Sequence, residues 1–246
     1  MSRGHVAGAA LVGMLLAGCV GSAASSSSAG VSPEKVVLGQ GRDRTASQTA
    51  EDWVTAAEHV AVVTVLRETR GQPSTAEVER REGMIGRQVE IRVDEVVWSA
   101  AEAFPRSPAM IEFQVVGWVF NDNSGAGEHK FALRGASRLE PGHSYVLALD
   151  WVDDPCAQDP AKGRWALLGG RGTVPYEGGV LGAGEYEGNV FTVAEAREKW
   201  QRKDEVTPGL RDQMVGATLD TLRSSLDAAT PRPAKAIEST TCDRSG

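Results

Sequence analysis

Four histidines, a run of aspartates and a line of glycines are the residues whose types and spacing suggest chemistry. Imidazole is a common metal ligand and the usual general base near neutral pH. His5, His59, His129 and His143 are scattered, and no H-E-x-x-H pair sets two of them on one helix face. A metal site built on imidazole is not expected. A Ser-His-Asp set is assembled in space, so chain order does not exclude it. No G-x-S-x-G elbow is there to present a serine, and His143-Ser144 reads as a turn entering a strand. Asp150, Asp153, Asp154 and Asp159 form the densest acidic cluster. Oxygen-rich loops can hold Ca²⁺, but this spacing is not that of an EF-hand. Pro155 and Pro160 interrupt it, so the expectation is a solvated loop. Paired carboxylates also serve glycoside hydrolysis, which depends on a separation that sequence does not supply. The glycines at 169, 170, 172, 178, 179, 182, 184 and 188 match neither G-x-x-x-x-G-K-[ST] nor strand-GxGxxG-helix, and read as turns between short strands. Trp98, Trp118, Trp151 and Trp165 fall in or beside expected strands. Such aromatics fill a core or, on an exposed face, bind carbohydrate or peptide. No catalytic residue, metal site or cofactor is assigned.

The N-terminus carries a different chemistry. Arg3 precedes an apolar run from Val6 to Leu16, and small residues follow. This is the layout of a secretory leader. About 11 residues of helix reach roughly 16 Å at 1.5 Å per residue, well short of the ~30 Å hydrocarbon core. Leu16-Ala17-Gly18-Cys19 closes the run. These four residues resemble a bacterial lipobox. The resemblance implies cleavage by signal peptidase II between Gly18 and Cys19, and a thioether-linked diacylglycerol on Cys19. The partner is then the membrane, reached through that lipid. Two acyl chains meet the requirement for durable anchoring.

Of 246 residues, 41% are hydrophobic and 24% charged, ordinary for a globular protein. Losing Arg3 with the leader takes the formal net charge from −7 to −8. An acidic exterior argues against nucleic acid, whose binders need a basic footprint. Beyond Cys19 the chain has only Cys156 and Cys242. In an exported chain these favour one disulfide, closing a loop of about 87 residues that chain entropy values at roughly 4–5 kcal/mol. Two free thiols are the alternative, because sequence does not place the two Cα atoms.

The elements follow from pattern. Residues 1–18 are the leader and residues 19–48, rich in Ser, Ala and Gly, a flexible tether. Ser32 and Lys35 there match S-x-x-K of penicillin-recognising enzymes, but the S-D-N and K-T-G elements are missing, and the match is chance. A β-rich domain spans 49–191. Thr49 with Asp52 starts a short helix. Strands are expected at 59–66, 88–98, 110–120, 130–133, 144–152 and 164–168, with brief extended pieces at Val174, Val180 and 190–191. Residues 192–246 hold helices at 193–202 and from Pro208 to 229, the second with Val215, Leu219, Leu222 and Leu226 on one face, and a polar tail.

Strands first and helices after give a mainly β fold with C-terminal helices: a small antiparallel barrel, closed or partly open, under a helical cap. Ala57-Glu58 leading into a valine-rich strand, the strand within 89–97, and Gly142-His143-Ser144-Tyr145-Val146-Leu147 entering a late strand carry a further likeness. Here the chain resembles the OB-like barrels of netrin-type and metalloprotease-inhibitor-type modules. The cysteines that open the first strand of inhibitor modules are missing, so protease inhibition is not carried over. The expected function is non-catalytic: a lipoprotein on the extracytoplasmic face of the cell membrane, binding an envelope protein or carbohydrate, or giving structural support. A lipid-tethered solute or metal binder is the first alternative, favoured if the Trp and Asp residues converged on one pocket. An envelope hydrolase is the second, favoured by a buried carboxylate or histidine beside a serine in a cleft.

Overall fold

A computed structural model describes residues 35–233 apart from 42, 44, 126, 154–161 and 202–207. The strands are β1 (Val36–Gly39), β2 (His59–Arg70), β3 (Glu82–Ser99), β4 (Met110–Asn121), β5 (Gly127–Leu133), β6 (Ser144–Asp153), β7 (Gly163–Leu167), β8 (Thr173–Glu177), β9 (Val180–Leu181), β10 (Gly184–Tyr186) and β11 (Asn189–Phe191). The helices are α1 (Ala50–Ala56), α2 (Thr75–Arg80), α3 (Val193–Gln201), α4 (Leu210–Gln213) and α5 (Leu219–Asp227). The fold is mainly β with helices towards the C-terminus.

Nine strands make one sheet in the order β1-β5-β4-β3-β2-β6-β8-β9, with β7 also on β6. Every pairing is antiparallel except β1 on β5, so the sheet is mixed. Among the described residues β1 and β9 lie at opposite ends of the strand order and no ladder joins them. The expected barrel is therefore not closed.

Two central strands explain why one sheet supports two cores. β2 and β6 are near-continuous apolar runs, the pattern of strands covered on both faces. Ala61, Val63 and Val65 with Tyr145, Leu147 and Leu149 point to one face. There they meet Val89 and Ile91 of β3 and Ile111 and Phe113 of β4. Val60, Val62, Val146 and Ala148 point to the other, under Trp53 of α1, Leu210 of α4 and Leu222 and Leu226 of α5. Register shifts between Val60 and Ala61, Val62 and Val63, and Val65 and Arg67 mark irregularities in the β2–β3 ladder, the kind of break that sharpens twist and bends a strand.

Two segments depart from expectation for local reasons. Val36–Gly39 lies inside the stretch assigned to a tether, yet it pairs with Lys130–Leu133. Phe131 packs on Gly39, where a Cβ would stand 2.2 Å from its ring. Composition hid this strand, because a glycine serving as a landing for an aromatic looks like linker. The long helix expected from Pro208 is two helices. Gly216 between them has φ +83, a conformation L side chains rarely adopt, and a Cβ there would meet Arg197 Nη2 at 2.8 Å.

Candidate functional site

β3 repeats apolar residues at every second position, and Arg87 belongs to that same row with Val89 and Ile91. Its side chain is buried at one end of the sheet's inner core. Nη1 donates to Glu68 Oε2 at 2.8 Å and to the Leu139 carbonyl at 3.0 Å, and Nη2 donates to the Arg138 carbonyl. Arg138 is buried beside it. It donates from Nε to the Phe131 carbonyl at 3.1 Å, from Nη2 to the Gly117 carbonyl at 2.8 Å and from Nη1 to Glu140 at 2.6 Å. Its guanidinium lies 5.2 Å from the Trp118 ring centroid. Burial and the neighbouring Arg138 charge push the Arg87 pKa down, opposed by Glu68 and Glu140.

Glu185, 1% exposed, closes this cluster. Oε1 accepts from the Arg138 amide at 3.0 Å and the Gly188 amide at 2.6 Å. Oε2 accepts from the Leu139 amide at 3.0 Å and from Tyr145 Oη at 2.7 Å. Burial raises its pKa, while the four donors pull the other way. The Tyr145 hydroxyl is pushed up by burial and by the Glu185 charge. Glu187 accepts from the Gly135 amide at 2.7 Å and faces Lys199 Nζ at 2.7 Å. The β10–β11 hairpin thus supplies, through Glu185 and Glu187, acceptors for the amides of the loop from Gly135 to Leu139. Charges so fully matched hold the fold.

At the other end of the same core stands His59, 5% exposed. Its Nε2 lies 3.0 Å from the Pro105 carbonyl and its Nδ1 2.8 Å from Ser99 Oγ. A carbonyl only accepts, so Nε2 carries the proton. In the neutral ring Nδ1 then accepts from the Ser99 hydroxyl. This is a histidine beside a serine with the base nitrogen aimed at the hydroxyl, the feature that favours a hydrolase. The orienting group is a peptide carbonyl in place of a carboxylate. Neither residue lines either of the two clefts described below.

Trp165 packs at 5.6 Å from the His59 ring and 5.2 Å from Trp151. Asp150 and Asp153 follow on β6, and the Asp150 pKa is pushed up to about 6 by burial and by the Glu58 charge. Trp98 packs against the helix-side core and Trp118 lies between Arg70 and Arg138, so the tryptophans do not share one pocket. His143 pairs with Glu177, and His129 lies across the sheet on β5. Among the described residues no group of three or more His, Cys, Asp or Glu side chains converges on a metal position. Gly18, Cys19, Cys156, Cys242, Asp154 and Asp159 lie outside the described residues.

Two adjoining clefts complete the picture. One, of about 670 Å³, opens between β4, β5 and the end of β7, lined by Val115, Val116, Phe131, Leu133 and Leu167 over Arg138. The other, of about 920 Å³, is lined by Arg134, Arg171, Arg232, Asp52 and residues of the segment leading to α1. Sequence pattern did not find either, since a cleft arises where strands part. Comparison with family models, with curated proteins and with solved structures returns no match.

Proposed function

We propose that this chain is a lipid-anchored protein on the extracytoplasmic face of a bacterial cell membrane, with a binding or structural role at the envelope. The observation that carries the reading is Leu16-Ala17-Gly18-Cys19 behind an apolar run too short to span a bilayer. Among the described residues no helix is long and apolar enough to cross a membrane; in this reading the anchor is the lipid on Cys19. The binding role is supported by the apolar cleft, whose volume falls within the ~300–1,000 Å³ of small-molecule sites. The partnered buried groups of the Arg87–Glu185 cluster belong to the scaffold that carries this cleft. Detergent phase partition tests the anchor. The native chain is expected in the detergent phase and residues 19–246 carrying Cys19→Ala in the aqueous phase. Equal partition of the two refutes it.

A second reading, an envelope hydrolase, is favoured by the Ser99–His59 contact at 2.8 Å alone. It ranks lower because the orienting partner of His59 is the Pro105 carbonyl, whereas a carboxylate would stabilise the imidazolium that forms during catalysis.

A further inference from the structure

The two clefts share Asp43, Thr45 and Gly170 along a common rim. One side of the rim is apolar and the other holds three arginines. That is the pattern of an amphipathic ligand with an anionic head. We propose that the paired clefts hold one acyl chain and the phosphate head of an anionic membrane phospholipid. The inference deepens the binding role proposed above and rests on it.

The apolar side takes the chain. Val115, Val116, Phe131, Leu133 and Leu167 line it, and Leu133 is 42% exposed at its mouth. Leaving such surface in water is unfavourable. Arg138 is the one cation among its described lining residues, and its three nitrogens already donate to Phe131, Gly117 and Glu140. A free fatty acid would place its carboxylate here, near Asp43 and without an open cation. Asp43 itself is engaged by the Gly170 amide at 2.9 Å and by Ser47 Oγ at 2.8 Å. The head must therefore reach further along the rim.

Across the rim it meets Arg134. The Arg134 amide donates to the Gly39 carbonyl at 2.8 Å, which fixes the backbone. Its side chain is exposed and has no hydrogen bond or ion pair among the described residues. Arg232 is committed to Asp52 and Glu51, and Arg171 lies 3.9 Å from Asp212. Arg134 is thus the guanidinium open to a phosphate, which it can grip with paired donors.

The test uses residues 19–246 carrying Cys19→Ala, so no acyl group of its own competes and the result does not depend on the anchor. Lysophosphatidylglycerol, lysophosphatidylcholine and palmitate, each below its micelle concentration, are titrated against it by calorimetry. Lysophosphatidylglycerol is expected to bind one to one, at least tenfold tighter than the other two. Arg134→Glu should abolish the preference for the anionic head, and Val116→Trp should weaken both lysolipids by tenfold or more. Val78→Trp, on an exposed face of α2, should change neither. No saturable lysophosphatidylglycerol binding, palmitate binding equally well, or an unchanged Arg134→Glu would each overturn the proposal. Arg134 is exposed, so that variant keeps the test sound even where Val116→Trp unfolds.

Discussion

Removing the Glu185 carboxylate should cost more than its size suggests. Four donors converge on it, three of them backbone amides, of Arg138, Leu139 and Gly188. In Glu185→Ala those amides lose their acceptor at a site closed to water, each worth about 1–3 kcal/mol. Relief from burying a charge offsets part of this. The net is expected near 4 kcal/mol, the range seen when one side of a buried charged network is deleted. Glu185→Gln is nearly the same shape. Its amide nitrogen can donate to Tyr145 Oη, so the Leu139 amide and the Tyr145 hydroxyl proton lose their acceptor while the Arg138 and Gly188 amides keep theirs, a smaller loss than in the alanine variant. Urea unfolding of the Cys19→Ala chain, followed by tryptophan fluorescence, gives both values. An alanine variant within 1 kcal/mol of its parent would refute the reasoning. So would a glutamine variant as costly as the alanine one, since the loss would then follow charge and not the orphaned amides.

Asp150 gives a prediction with a sign. Its folded pKa is raised to about 6 against an ordinary value of 3.8, by burial and the nearby Glu58 charge. As pH rises from about 4 to 6 the unfolded chain releases this proton first, and the folded state loses stability. Asp150→Asn should therefore melt higher than its parent at pH 7.5, with the gap closing as pH falls towards 4; a gap independent of pH contradicts the burial argument. A fluorophosphonate probe is expected to leave Ser99 unlabelled, and labelling that vanishes in His59→Gln would turn the account to the hydrolase reading. Thiol counting of the exported protein should find Cys156 and Cys242 unreactive until reduced, and two reactive thiols before reduction would remove the disulfide. Leu222→Ala beneath α5 should cost about 2–5 kcal/mol by urea unfolding, as for other large-to-small core changes; a loss below 1 kcal/mol would show that α5 does not seal that core.

The strands were legible because their pattern is local. Val60 to Val65 and Tyr145 to Leu149 announce buried strands by composition alone, and both are central. Thr49 and Asp52 announce a capping box, and it forms. What pattern does not carry is pairing between distant segments. Val36–Gly39 is too short and too near a glycine-serine stretch to read as a strand, and its partner lies over ninety residues on. The buried cluster hid for the opposite reason. Nothing local marks Glu68 or Arg138 as buried, because burial of an ion depends on partners that only the fold assembles. Arg87 was the one visible clue, standing in the apolar row of β3. Ser99 and His59 are forty residues apart and meet only because β2 and β3 pair in that register.

Trypsin offers the most direct measurement. Between Cys19 and Lys35 the chain has no other lysine or arginine, so digestion of the protein from its native membrane releases residues 19–35 as one peptide. The account predicts that this peptide starts at Cys19 and carries the added mass of a diacylglycerol group. An unmodified peptide, or a chain that begins anywhere else, contradicts it.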